Sequence, residues 1–125
     1  MDRILIVDDE FLIRYTLEEG LKDRGNDAYP AATVEEGLEF VRKYHPGVLL
    51  LDNLLENSVG MDEIVNFKNA DEELQVIMMT AYGSVSQAVE ATKRGAYDYI
   101  LKPFDVDEID MLIKRCLEQK RNRDS

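Results

Sequence analysis

The chain has 125 residues, 45% hydrophobic and 33% charged, and its 26 acidic against 15 basic side chains give a net charge of −11. One domain of this size buries roughly two thirds of the surface its unfolded chain exposes. The acidity argues against direct nucleic-acid binding, which needs a basic face to neutralise phosphates, and suits a cation or a basic partner. Cys116, the single cysteine, has no partner for an internal disulfide, which fits a reducing cytoplasm. No stretch is apolar enough to span a bilayer, and the start, Met1-Asp2-Arg3 and then Ile4-Leu5-Ile6-Val7, is too short and too acidic for a signal peptide.

Ile4 to Val7 is a continuous apolar run ended by Asp8, Asp9 and Glu10. Continuous runs without alternation predict strands covered on both faces, as in parallel sheets. Ile13, Leu17 and Leu21 follow at helical spacing, and Gly25 closes that helix. Residues 27 to 31 read as a weaker strand, placed at an edge because Pro30 cannot donate to a ladder. Thr33-Val34-Glu35-Glu36 is a capping-box pattern opening a helix that runs to about Tyr44. Gly37 is expected to weaken that helix by roughly 1 kcal/mol relative to alanine. His45-Pro46-Gly47 is a turn into Val48-Leu49-Leu50-Leu51-Asp52, the second continuous apolar run that ends in a carboxylate. A histidine before a proline in a turn reads as structural.

After Asp52 come a loop over residues 56 to 60 and a short helix marked by Met61, Ile64 and Val65. Gln75 to Met79 is a strand leading into Thr80-Ala81-Tyr82-Gly83. Ser84 is the natural cap of the next helix, which carries Val85, Ala88, Val89 and Thr92 and ends at Gly95. Tyr97 to Leu101 is the last strand, followed at once by Lys102-Pro103-Phe104. Ile109, Leu112, Ile113, Cys116 and Leu117 stripe the final helix, to about residue 119. Residues 120 to 125 read as a polar tail or as the start of a linker to an output domain.

Strands alternating with helices predict an α/β fold, a doubly wound three-layer sandwich around a five-stranded parallel sheet, and right-handed crossovers with an edge position for the Pro30 strand are compatible with the order 2-1-3-4-5. In such a sheet ligands sit beyond the carboxyl ends of the strands. Asp8 and Asp9, Asp52, Thr80 and Lys102 all fall at those ends and converge. Taken singly, each is as easily a solvated strand end or surface charge. Together, three carboxylates repel, and a hard divalent cation such as magnesium relieves that repulsion. Lys102 adds a positive charge and Thr80 a hydroxyl, a set suited to stabilising phosphoryl transfer on Asp52 by position and charge.

The stretches Val7-Asp8-Asp9-Glu10, Leu51-Asp52, Thr80-Ala81-Tyr82-Gly83 and Gly95-Ala96-Tyr97-Asp98-Tyr99-Ile100-Leu101-Lys102-Pro103-Phe104 resemble the receiver domains of bacterial two-component response regulators. That is the CheY-like variant of the flavodoxin-like fold. Residues 80 to 104 look most like receivers of NtrC-like sigma-factor-dependent activators, which also carry an ATPase and a DNA-binding portion. The resemblance implies a signalling domain over residues 1 to 119 whose only chemistry is its own phosphorylation and dephosphorylation. A sensor histidine kinase would be the donor, Asp52 the acceptor and Mg2+ the cofactor. Asp9 and Asp52 would be metal ligands with the backbone carbonyl of Leu54, and Asp8 would act mainly through water. Thr80 and Lys102 would bind the phosphoryl oxygens, Tyr99 would change rotamer with Thr80, and the Lys102–Pro103 peptide would be cis. It further implies a homodimer through helix 84–94, strand 97–101 and helix 105–119, transcriptional control through the output portion, and a cytoplasmic setting.

Two positions depart from the family. Glu56 stands where proline is usual, so loop 56–60 is expected to be looser, with an extra carboxylate near the site. Gly47 stands where an acidic residue is common. The rival readings are a magnesium-dependent phosphohydrolase of the haloacid dehalogenase type and a pseudo-receiver that works without phosphorylation. The first typically has a second aspartate where this chain has Leu54, and also a cap domain. The second does not need the intact set Asp9, Asp52, Thr80 and Lys102.

Overall fold

The computed structural model describes residues 2–81 and 83–124. Met1, Tyr82 of the Thr80 to Gly83 motif and Ser125 of the expected tail lie outside the described residues. The elements run β1 (Arg3–Val7), α1 (Phe11–Asp23), β2 (Asp27–Ala31), α2 (Val34–Tyr44), β3 (Val48–Asp52), α3 (Gly60–Ala70), β4 (Gln75–Thr80), α4 (Val85–Lys93), β5 (Asp98–Leu101) and α5 (Val106–Asp124). The strands form one five-stranded sheet in the order β2-β1-β3-β4-β5, and every pairing is parallel. This is the expected 2-1-3-4-5 order, with the Pro30 strand at an edge.

The sheet's pleat sorts its side chains onto two faces. Ile4, Ile6, Val48, Leu50, Ile77 and Met79 pack against Leu17 and Leu21 of α1 and Ile109, Ile113 and Cys116 of α5. Leu5, Val7, Leu49, Leu51, Val76 and Met78 pack against Val41 of α2, Ile64 and Phe67 of α3 and Ala91 of α4. The central strand is buried along its whole length, which is why its sequence does not alternate. Fully burying a leucine stabilises by roughly 1.5–3 kcal/mol, so β3 anchors both layers.

Local signals place the helices. The Thr33 side chain accepts from the Glu36 amide at 3.2 Å. Glu36 reaches back to the amide of Ala32 at 3.3 Å, one residue earlier than in a standard capping box. Ser84 caps α4, accepting from the Gln87 amide at 3.1 Å. The chain leaves α4 through Arg94 and turns at Gly95, whose φ of +110° few side chains tolerate.

Three expectations change. Gly37, expected only to weaken α2, sits where a Cβ would come 2.8 Å from Val7 Cγ2 and 3.2 Å from the Phe67 ring. It is the contact that lets α2 lie close on the sheet. β5 begins at Asp98, one residue later than expected. The final helix continues to Asp124, so residues 120–124, expected as a polar tail, are helical. Arg123 lies 3.8 Å from Glu73 beyond α3, one exposed tie on that last turn.

Candidate functional site

Strand register builds the site. Val7 pairs with Leu51, so the residues that follow them, Asp8 and Asp52, emerge side by side. Asp52 pairs with Met79 and Thr80 with Leu101, which brings Thr80 and Lys102 to the same edge. The amide of Lys102 donates to the Thr80 carbonyl at 2.7 Å, and the Lys102–Pro103 peptide is cis.

Asp8 is fully buried and Asp52 is 3% exposed. Asp8 Oδ1 accepts from the Glu10 amide at 2.9 Å, which turns the chain into α1. Its Oδ2 accepts from Lys102 Nζ at 2.9 Å. The same ammonium lies 3.2 Å from Asp52 Oδ1. Asp8, Asp9 and Asp52 can each present an oxygen such that all lie within 4.8 Å of one another, and they form the one acidic cluster of metal-binding compactness among the described residues. Oxygen donors at this spacing fit a hard divalent cation.

The electrostatics follow from burial. Removal from water, then the neighbouring charge of Asp8, pushes the Asp52 carboxyl up to about 6, although Lys102 and the Leu54 amide pull the other way. Burial draws the Lys102 ammonium down, but Asp8 by hydrogen bond and charge, followed by Asp52, outweighs it and leaves the lysine raised. The site therefore holds more negative charge than one lysine compensates.

All the sequence-predicted residues Asp8, Asp9, Asp52, Thr80 and Lys102 meet at this edge. Tyr99 lies one strand out, its hydroxyl donating to Gln87 Oε1 at 3.4 Å. His45 is far from the site, in a left-handed conformation at the end of α2. Its Nδ1 is 3.1 Å from Asp71 Oδ2. Cys116 is buried in the core.

Supporting residues that the motifs did not single out appear here. Asn53 ties the following loop, its carbonyl accepting from Gly60 N at 2.7 Å and its Oδ1 from Met61 N at 3.0 Å. A side chain on Gly60 would collide with the Asp52 carbonyl oxygen. The loop around Glu56 forms a turn with Leu55 N on Ser58 O at 3.1 Å and a Leu54–Val59 bridge. Asn53 and Gly60 supply anchors there that do not depend on a proline. Glu56 lines a cleft of about 330 Å3 with Glu35 and Glu63 and is not one of the clustered carboxylates. Arg14 Nη1 donates to the Asp8 carbonyl at 2.8 Å and fixes the start of α1 to the end of β1.

A 2-1-3-4-5 sheet with a lysine-bridged acidic cluster at its switch point defines a CheY-like signalling module. Residues 4–114 match the response regulator receiver domain, and the chain belongs to that family. It is 37% identical over 121 residues to sporulation initiation phosphotransferase F of Bacillus subtilis (strain 168), covering 97% of this chain and 98% of that protein. It is 36% identical over 118 residues to regulatory protein AtoC of Escherichia coli (strain K12), covering 94% of this chain but only 26% of AtoC, so it spans about a quarter of that regulator. The beryllofluoride-activated NtrC4 receiver domain dimer, solved in solution, superposes with a TM-score of 0.90 at 33% identity, over 96% of this chain and 99% of that one. The expected likeness to NtrC-like receivers is thus present in both sequence and structure.

The raised Asp52 carboxyl makes a pH prediction. An acid whose folded pKa lies above its unfolded value binds more protons when folded, so its contribution to stability falls as pH rises from about 4 through about 6. In EDTA, Asp52→Asn should equal wild type near pH 4 and exceed it at pH 7.5 by on the order of 2–3 kcal/mol. Urea unfolding at the two pH values measures this; a wild-type advantage at pH 7.5 would show that ionised Asp52 stabilises the metal-free fold.

Proposed function

We propose that Asp52 is the phosphoacceptor of this receiver domain and that a sensor histidine kinase supplies the phosphoryl group. The observation that carries the reading is the Lys102 ammonium held 2.9 Å from Asp8 Oδ2 and 3.2 Å from Asp52 Oδ1, beside the clustered carboxylates. In the reaction a carboxylate oxygen of Asp52 forms the O–P bond as the N–P bond of the donor phosphohistidine breaks. Lys102 and Thr80 take the phosphoryl oxygens.

Asp9, Asp52 and the carbonyl of Leu54 would hold Mg2+ directly, and Asp8 through water. When bound, it supplies positive charge against the carboxylates and the incoming phosphoryl group. Asp8, already committed to Lys102 and the Glu10 amide, suits the more distant role, and Asp9, reachable from solvent, the direct one. The domain promotes its own phosphorylation and dephosphorylation and turns over no separate substrate.

The output is a change of surface. Thr80 follows the phosphoryl group, Tyr99 turns inward behind it, and the face of α4, β5 and α5 changes shape. That face carries Val85, Val89, Leu101 and Met111 largely exposed, an apolar strip suited to a second copy. The dimeric state of the activated NtrC4 receiver supports the same use here. Control of transcription through an ATPase and DNA-binding portion beyond this domain, in the cytoplasm, completes the proposal. Among the described residues no helix is long and apolar enough to cross a membrane.

Intact-mass measurement after incubation with Mg2+ and a small phosphodonor should show one phosphoryl group on wild type and none on Asp52→Asn; equal modification of both would move the acceptor elsewhere. Mg2+ should raise the melting temperature by mass action, and Asp9→Ala should abolish that rise. An unchanged rise removes Asp9 from the ligand set. Sedimentation with and without beryllofluoride should show a change of self-association, and Tyr99→Ala should uncouple it from mimic binding. Identical association in both states would mean that the domain does not signal through its own pairing.

A further inference from the structure

The first turn of α3 is capped from outside the helix. Its N-cap position is Val59, which makes no side-chain cap hydrogen bond. The first amides of a helix have no partner within it. Here Gly60 N donates to the Asn53 carbonyl at 2.7 Å, and Met61 N donates to Asn53 Oδ1 at 3.0 Å. Asn53 is only 8% exposed. Its own amide donates to the Met79 carbonyl at 2.8 Å, the next rung of the β3–β4 ladder. The backbone donor, the backbone acceptor and the side-chain oxygen of this one residue are therefore all engaged, on two different elements.

Asn53 stands between Asp52 and Leu54. The amide of Leu54 donates to the Asp52 carboxylate. Leu54 is 53% exposed, so its side chain gives that peptide no anchor in the core. Its neighbours hold it instead, the Leu54–Val59 bridge on one side and Asn53 on the other. α3 in turn is fixed by Ile64 and Phe67, both buried. Gly60 lets the start of the helix come this close, since a Cβ there would collide with the Asp52 carbonyl oxygen. The chain from Asp52 to Leu54 is thus fastened to a well-anchored helix through one amide side chain.

We propose that Asn53 is a positioning residue for the metal: by clamping the start of α3 it fixes the Leu54 peptide against Asp52, and so sets the preference of the site for Mg2+ over Ca2+. This rests on the metal ligands given under Proposed function and deepens that reading. Asn53 itself gives no atom to the ion. Removing a residue that orients ligands without touching the ion typically costs about 10- to 100-fold in metal affinity. Mg2+ is the more exacting of the two cations, because it demands near-ideal octahedral geometry with short bonds, whereas Ca2+ accepts more oxygens in looser arrangements. A ligand peptide cut free from α3 can still meet a large cation that adapts to it. It meets a small, exacting one less well. Loss of the clamp therefore falls on Mg2+ first.

The test is calorimetric titration of the purified domain with Mg2+ and, separately, with Ca2+, as wild type, Asn53→Ala, Asn53→Asp and Phe67→Leu. Asn53→Ala should weaken Mg2+ binding by about tenfold and Ca2+ binding clearly less, so the ratio of the two affinities falls. Asn53→Asp keeps an acceptor for Met61 N, and its added charge attracts both cations alike, so its ratio should stay near that of wild type. Phe67→Leu loosens the same helix from the core side and should leave the ratio unchanged, because merely structural damage does not distinguish the two ions. Folded Asn53→Ala with unchanged Mg2+ affinity, or with both ions weakened in equal proportion, overturns the proposal. So does a ratio in Asn53→Asp or Phe67→Leu that falls as far as in Asn53→Ala. Should Asn53→Ala fail to fold, Asn53→Ser, whose shorter side chain reaches Met61 N less well, decides it: its ratio should fall, and an unchanged ratio overturns the proposal. If wild type binds no Mg2+, or Asp9→Ala binds it as tightly as wild type, the metal reading has failed and the Asn53 proposal falls with it.

Discussion

The molecule is organised by the ammonium of Lys102 lying between the carboxylates of Asp8 and Asp52. Two nearly buried carboxylates as neighbours are an arrangement a folded chain avoids unless something compensates. Here register forces them together, because β1 and β3 are adjacent and end at the same level. The lysine must then arrive from the far side of β4, two strands away. It does so because β5 ends level with Thr80 and its next amide bonds the Thr80 carbonyl. A slip of one residue in any of these pairings would move a carboxylate or the lysine out of the cluster. The deep apolar layers on both faces of β3 are what prevent that slip.

Anchoring is uneven across the sheet. α2, α3 and α1 each bury two or three residues against the centre, whereas the nine-residue α4 buries only Ala91. Its outward residues Val85 and Val89 are exposed. Segments that move between states come from the weakly anchored end of a structure. The fold thus places its rigid half under the carboxylates and its loosely held half beside Tyr99 and Thr80. A charge change at the rigid end has an element nearby that can respond to it.

Much of this was legible in the chain. The unbroken runs Ile4 to Val7 and Val48 to Leu51 declare strands buried on both faces, and Pro30 declares an edge, which is compatible with the observed sheet order. The strand-end residues Asp8, Asp9, Asp52, Thr80 and Lys102 follow from that order. What the sequence did not declare are contacts set by tertiary approach. Gly37 reads as a helix weakener until α2 is seen against Val7 and Phe67. Asn53 reads as one polar residue after an aspartate until its bonds to Gly60 and Met61 appear. Gln87 and Gly83 have no periodic or motif signature for touching Tyr99, because that meeting depends on how α4 packs on β5. The end of α5 is hidden for a different reason: composition marks residues 120 to 124 as polar, and polarity on a helix facing solvent does not say where the helix ends.

The position of the single histidine bears on what kind of chemistry the site supports. Phosphoryl transfer enzymes that turn over commonly pair the acceptor with a group that activates water. His45 is at the opposite edge of the sheet, closing α2 and paired with Asp71, and it cannot reach Asp52. The cysteine is equally remote: burial pushes its thiol up to about 12, so it stays protonated in the core. What surrounds Asp52 is a lysine already engaged by two carboxylates, a buried threonine and acidic groups that share its charge. Such a set would hold a phosphoryl group by position and charge, and among the described residues it places no imidazole or thiol beside Asp52.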